Sequence, residues 1–421
     1  MMDGRAAGGG RRKTESGRRL SRIIADGYLD LHRRANEGAF VVWIAIVVPA
    51  EIFAGFENVA YAVPESHAAL SAGKGVGTVQ CQKAEERGYS ADLCSYARID
   101  IGTAFDGGKD SPTFGLPRPH LLVSNNNNCS LLVKWFDVYR REWGVPHFIV
   151  DVPFCYGPQS DRDTDYIAAQ YRDLVREIER LSGQRFDIER VREAVRHSCD
   201  AMREWKRFLR AAAHRPSGIT VFDSFVQMAP ILTARGTPAL AEHFRLLADE
   251  TEGAIADGRY PVPDERYRLL WDNIAPWHQL SGMSSRLAAL GVNLIAASYT
   301  YCIGSLEGSV QLFPYDGADS LRYLARIQNF SVCPQGLALR FEAMRAAIGT
   351  MGVDGVVFAS NRSCKVYSIM QMDLLDRVTR ECGVPAVMID VDHADARAYS
   401  EEGAFTRIEA LLESIDMKRA G

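Results

Sequence analysis

No C-x-x-C pair occurs anywhere in the 421 residues. That argues against a compact zinc ribbon or finger, whose ligands come in such pairs. No uninterrupted apolar run is long enough to span a bilayer, which takes about 20 residues. The best candidate, "AFVVWIAIVVPAEIFAGF" at 39–56, is broken by Pro49 and Glu51, and it reads as a buried strand leading into a helix. The start, "MMDGRAAGGGRRKTESGRRLSR", is basic, but no apolar h-region follows it directly, so an export signal is not expected. Basic excess is missing too. The net charge is −4, where nucleic-acid binders carry a clear positive surplus. "GKGVG" at 73–77 lacks the full P-loop spacing and the Ser/Thr-led helix that would make it a phosphate cradle. These absences lead to the expectation of a cytoplasmic protein with neither a membrane nor nucleic acid as partner.

What the chain does have is cysteine, at 81, 94, 129, 155, 199, 302, 333, 364 and 382. Nine is odd and the chain is large, so a disulfide framework is not expected. In a reducing compartment such residues point to metal binding, catalysis or burial. With 47% hydrophobic and 24% charged residues, there is enough apolar surface for two or three domains.

Two stretches share a pattern. "HLLVSNNNNC" (120–129) is an apolar strand, Ser-Asn and a cysteine, then a helix (130–143), then "GVPHFIVDVPF" (144–154). "GVVFASNRSC" (355–364) is the same, followed by a helix (366–381) and "GVPAVMIDVDH" (383–393). Each copy reads as a βαβ unit, and together they form an internal repeat. A weaker match sets the strand at 40–59 against the one at 291–302. The strands are continuous apolar runs, as parallel strands covered on both faces should be. The fold class expected is α/β: two doubly wound, flavodoxin-like parallel-sheet domains with a helical segment between them. The expected bounds are a disordered basic tail at 1–22, an N-terminal α/β domain at 23–160, a mainly helical connection at 161–285 with Asp187 as a helix cap, and a C-terminal α/β domain at 286–421.

Ligands of such sheets bind beyond the carboxyl ends of the strands, where Cys129 and Cys364 both fall. In "AEERGYSADLCSYARIDIG" (84–102), Gly88 stops one helix and Ser90 is a candidate N-cap for the next. Cys94 would then lie near a helix start, where the dipole favours thiolate. His67, His120, His147, His278 and His393 are scattered, and none sits in a recognisable protease context. The wide gaps from Cys94 to Cys129 to Cys364 suit a site assembled by the fold, and thiolate-only ligation favours zinc or an iron–sulfur cluster.

The blocks "AEERGYSADLCSYAR", "SNNNNCSLLVKWFDVYRREWGVPHFIVDVPF" and "SNRSCKVYS", with the sequence that follows the last, resemble the 2-hydroxyacyl-CoA dehydratase family, which also contains subunits of benzoyl-CoA-type reductases. The resemblance runs from about Pro49 to Glu413. It implies a [4Fe–4S] cluster on three cysteines, Cys94, Cys129 and Cys364, with one iron left open to the thioester oxygen of an acyl-CoA substrate. It implies water elimination through a ketyl radical, a homologous second subunit in a heterodimer, and an electron from an ATP-dependent iron–sulfur activator protein. Reduction of an aromatic acyl-CoA is the alternative, and a non-catalytic electron-transfer homologue a further one.

Several residues stay open at this point. Glu51 in "VVPAEIFAG" (47–55) is either a first-turn carboxylate favoured by the helix dipole or a general acid/base near the substrate. Cys333 rivals Cys364 as third ligand. Cys155 follows a strand into the cleft and is a candidate for supporting the ligands. Cys81, Cys199, Cys302 and Cys382 read as packing residues. Asp392 and Arg397 either touch the cleft or, by default, belong to a solvated, salt-bridged helix.

Overall fold

The computed structural model describes residues 14–157, 159–303, 314–328 and 335–421. The apolar runs form two four-stranded sheets, each wholly parallel. The first takes Phe40–Ile44 (β1), Val59–Ala62 (β2), Leu121–Asn125 (β3) and His147–Val150 (β4), in the order β2-β1-β3-β4. The second takes Tyr267–Asp272 (β5), Val292–Ala297 (β6), Gly355–Asn361 (β7) and Ala386–Val391 (β8), in the order β6-β5-β7-β8. The winding is the same in both, with the reversal of strand order between the first and third strands. In sheets of this kind that reversal opens a crevice at the carboxyl edge. β3, β5 and β6 are buried at every residue, which explains their unbroken apolar character.

The repeat is visible in the register. Asn125 pairs with Val150, and Asn361 with Val391. The next amides repeat the match: Asn126 N donates to Val150 O at 3.2 Å and Arg362 N to Val391 O at 3.0 Å. Asp151 therefore corresponds to Asp392. Counting from Gly-Val-Pro would have chosen Asp390, because β8 is two residues longer than β4.

Three expectations about organisation are corrected. The counterpart of β1 is β5, not the strand at 291–302, and β5 lies inside the stretch expected to be a helical connection, so the second sheet begins at Tyr267 rather than after 285. The strand "YRLLWD" was hidden by a charge at its start. Arg268 is buried there, held by Glu265 and by the carbonyls of Ala212 and Met351. The tail is also shorter than expected, since helix Glu15–Asn36 (α1) takes in residues 15–22. Leu20, Tyr28 and Leu31 give it an apolar face, and Glu250 accepts the Ser16 amide at 3.2 Å from 234 residues away. Residues 1–13 of the expected tail lie outside the described residues. The third correction concerns the helix expected at 366–381, which is Lys365–Ser368, Gln371–Arg377 and a wider turn, Val378–Cys382.

Four helices place the N-terminal half of the site: Pro64–Gly73 (α2), Gly77–Glu86 (α3), Ser95–Phe105 (α4) and Ser130–Trp143 (α5). α4 lies hard against α3. A Cβ on Gly102 would come within 2.0 Å of Gln80 O, so glycine is what permits this approach. Helices Asp161–Ser182 (α6) and Ile188–Arg210 (α7) follow, with the Asp187 side chain accepting the Glu189 amide as the cap of α7.

Candidate functional site

Each of the three cysteines stands immediately before a helix. Cys94 precedes α4, Cys129 precedes α5, and Cys364 precedes Lys365–Ser368. Cys94 itself holds the N-cap position expected of Ser90, whose hydroxyl instead accepts the Asp92 amide in the preceding loop. The asparagine run does two jobs. Asn125 ends β3, and Asn126 Oδ1 accepts the Val152 amide at 2.8 Å, tying the loop across to the end of β4. Cys129 is held at the sheet's carboxyl edge as a result.

The thiols feel one another. Burial pushes Cys94 well above the ordinary thiol range, and negative charge on Cys364 and Cys129 pushes it further. Cys364 is pushed up to about 12 by burial, with Cys129 adding to the shift. Cys129 is raised by burial and also by Glu65. Each residue keeps part of its surface open to solvent, yet desolvation dominates at all three sulfurs. Amides at the helix starts oppose the rise: Ala97 and Tyr96 at Cys94, Leu131 and Leu132 at Cys129, Tyr367 at Cys364. None closes to a full capping hydrogen bond. The arrangement disfavours three free thiolates, and a cationic group that bound them would relieve both burial and mutual repulsion.

Among the described residues, no three His, Cys, Asp or Glu side chains are grouped for a single metal ion. A four-iron cube asks for wider spacing, its ligand sulfurs standing about 6–7 Å apart given Fe–S bonds near the Zn–S length. The charge of Cys129 is felt at both Cys94 and Cys364, and that of Cys364 at Cys94, with helix-start amides behind all three sulfurs.

A carboxyl missed by sequence reasoning makes its charge felt at Cys129. Glu65 is in the first turn of α2, at the carboxyl edge of β2. Burial raises it to about 7, with Asp100 adding to the rise and the Ile46 amide, 3.0 Å from Oε1, opposing it. Its Oε2 is buried and has no hydrogen-bond partner among the described residues. The available signal was "AVPES", a Pro-Glu at a strand-to-helix junction much like the Pro-Ala-Glu chosen instead.

Glu51 stands in the first turn of a helix, as one of its two readings expected. It starts a 3-10 turn, Ala50–Gly55, is fully buried, and pairs with Arg235 Nε at 2.6 Å. The carboxylate felt at Cys129 is Glu65, not Glu51. Glu51→Ala would leave the Arg235 charge buried and unpaired. A loss of roughly 3–5 kcal/mol in urea unfolding is expected, with iron content per folded chain unchanged.

On the other side of the thiols lies a polar network that joins the two halves. His393 Nε2 is 3.7 Å from Cys94 Sγ and 3.0 Å from Ser95 Oγ. Ser363 Oγ accepts the Ser95 amide at 3.2 Å and donates to Asp392 Oδ2 at 2.5 Å. Asp392 Oδ1 accepts the amides of Ala394 and Asp395 at 3.0 and 2.9 Å. Although burial opposes it, these bonds and the neighbouring His393 ring hold Asp392 well below the usual carboxylate range. Burial lowers His393, keeping it neutral near pH 7. Asp392 is thus buried at the end of β8, not solvated on a helix. Arg397 sits in the turn Ala396–Ala398 and pairs with Glu85 and Asp395, while the buried Arg98 bridges the same two acids.

The other described cysteines pack against different partners. Cys81 is buried against Ser95 O, Cys199 lies 3.4 Å from Tyr323 Oη, and Cys155 forms an isolated parallel bridge with Gln335. Cys382 is partly exposed at a helix end. Cys333 and the side chain of Cys302 lie outside the described residues. No described helix is long and apolar enough to cross a membrane.

Comparison with known proteins covers most of the chain. The family profile described as 2-hydroxyglutaryl-CoA dehydratase, D-component, matches residues 45–415. The (R)-phenyllactyl-CoA dehydratase alpha subunit of Clostridium sporogenes is 31% identical over 388 residues, 91% of each chain. The (R)-2-hydroxyisocaproyl-CoA dehydratase alpha subunit of Clostridioides difficile is 31% identical over 405 residues, covering 95% of this chain and 96% of that protein. A benzoyl-CoA reductase subunit of Thauera aromatica is 28% identical over 369 residues, 85% of each.

Proposed function

The chain belongs to the 2-hydroxyglutaryl-CoA dehydratase D-component family, and from that premise we propose that it is the cluster-binding subunit of a 2-hydroxyacyl-CoA dehydratase. The observation that carries the reading is the set of three electrostatically coupled, helix-starting cysteines, one of which feels the charge of a near-neutral carboxyl. Cys94, Cys129 and Cys364 would hold a [4Fe–4S] cluster. Bound there, it would supply one-electron chemistry and a Lewis-acidic iron with a position open to a thioester carbonyl oxygen.

The chain's own residues do the rest. The helix-start amides at each sulfur favour the thiolate form needed for ligation. Dehydrating a 2-hydroxyacyl-CoA removes hydroxyl from one carbon and a proton from its neighbour, so a base is required. Glu65 has the properties of one. Its pKa matches neutral operation, Oε1 is anchored by the Ile46 amide, and Oε2 has a free lone pair. The alpha-subunit names of the relatives support a second, partner subunit, and the need for low-potential electrons supports a separate activator protein.

The match to a benzoyl-CoA reductase subunit supports a second reading, reduction of an aromatic acyl-CoA at the same site. One assay separates the two. The chain is purified anaerobically with its partner subunit, supplied with a low-potential electron donor, and offered a 2-hydroxyacyl-CoA or benzoyl-CoA. Conversion of the first to an enoyl-CoA, dependent on the reductant, is expected. Turnover by aerobically handled protein with no reductant would overturn both readings.

A further inference from the structure

We propose that His393 is a positioning residue for the Cys94 thiolate: it shares its Nε2–H between Ser95 Oγ and Cys94 Sγ, and that hydrogen bond sets the reduction potential of the cluster. The inference rests on the cluster reading above and goes beyond it, because His393 is not a ligand and comes from the opposite half of the chain.

Proton directions follow from the network. Asp392 is the only carboxylate among these hydrogen bonds, and it accepts the Ser363 hydroxyl proton at 2.5 Å. Ser363 Oγ is also oriented to donate to Ser95 Oγ at 3.3 Å, and the Ser95 hydroxyl in turn hydrogen-bonds toward Asp392. Ser95 Oγ then has lone pairs to spare, and His393 Nε2 lies 3.0 Å away. The imidazole must donate from that nitrogen. Nδ1 agrees, since it is buried and nothing among the described residues accepts from it, so a proton there would be stranded. The protonated Nε2 is also 3.7 Å from Cys94 Sγ, within the range of N–H···S contacts.

The ring is fixed in this pose. Tyr96 packs edge-on to it with centroids 4.3 Å apart, and the Trp277 amide donates to His393 O at 3.0 Å. His393 is fully buried, which strengthens a hydrogen bond to a charged sulfur. Hydrogen bonds to cluster sulfurs draw off negative charge and raise the reduction potential.

The test compares His393→Phe, His393→Gln and Ser95→Ala with the parent chain, each purified anaerobically, with iron counted and the midpoint potential measured by EPR-monitored titration. His393→Phe has no donor, and its potential should fall. Gln retains an amide N–H near the Nε2 position, so His393→Gln should stay close to the parent. Ser95→Ala removes the competing acceptor and should raise the potential. Opposite signs for Phe and Ala at unchanged iron content are not what loosened packing alone would produce. Equal potentials, or shifts of the same sign, would overturn the inference while leaving the cluster reading intact. A parent that binds no iron would sink the cluster reading instead. In that event, 15N shifts of the metal-free protein still decide the hydrogen bond, an Nδ1-protonated His393 ruling it out and an Nε2-protonated ring upholding it.

Discussion

Cys129→Ala is expected to lose most of the iron and visible absorbance of the anaerobically purified protein, while Cys199→Ala keeps both. The reason lies in where the two sulfurs are. Cys129 is coupled to Cys364 and Cys94, and it ends the loop that Asn126 ties to β4. Cys199 is buried on α7, next to Tyr323. Losing a group that merely supports a ligand typically costs about 10–100-fold in metal affinity, and losing a ligand should cost more. The fold itself should tolerate the change. Cys129 makes no full capping bond, so the cost to α5 should stay below the ~1 kcal/mol of a lost serine or threonine cap. Iron analysis, absorbance and circular dichroism on the two variants check this. An iron-replete Cys129→Ala chain would remove Cys129 from the ligand set.

Glu65→Gln should retain the iron yet slow turnover roughly 10²–10⁴-fold, the usual contribution of a general base. The pH dependence carries a sign of its own. Burial raises the Glu65 carboxyl to about 7, so the base becomes available as pH rises through 7, and activity of the parent should climb across that limb. Stability should move the other way. Between the ordinary glutamate pKa and 7, the folded chain keeps a proton that the unfolded chain has released. This group's contribution to stability is therefore full below the ordinary value, falls as pH rises through that window, and levels off above it. The total is roughly 3 kcal/mol, at 1.36 kcal/mol per pKa unit. Gln cannot ionise, so Glu65→Gln should gain stability over the parent at pH 8 and show little gain at pH 5. Urea unfolding at the two pH values, beside turnover and iron content, makes the comparison. Turnover unchanged in Glu65→Gln would leave the carboxyl as a buried packing residue only.

Much of this was legible in the residues alone. The two Ser-Asn…Cys stretches follow strands whose apolar runs have no polar alternation, and that is enough for parallel, doubly covered sheets. Once two such units repeat, the position of Cys129 and Cys364 at the same sheet edge is dictated by winding, because a right-handed βαβ crossover leaves little choice. The family resemblance came from the same blocks. Asp187 was readable as a cap because capping is local: a short polar side chain serves amides two or three residues on.

What local sequence could not supply was anything decided by partners far along the chain. Residues 15–22 look like a free tail until Glu250 is seen accepting the Ser16 amide. β5 hides because Arg268 reads as exposed until Glu265 and two remote carbonyls are found around it. Glu51 and Glu65 both follow a proline after a strand, and nothing in their own neighbourhoods tells them apart. Only the tertiary structure gives Glu51 an arginine 184 residues away and leaves Glu65 buried, its charge felt at Cys129, with no ion pair of its own among the described residues. His393 and Asp392 are the same case, since their hydrogen bonds cross to the Ser95 region from the other half of the chain. Strand, turn and cap are set by neighbours in sequence, whereas the protonation of a buried group is set by which charges the fold brings near it, and those come from anywhere in the chain.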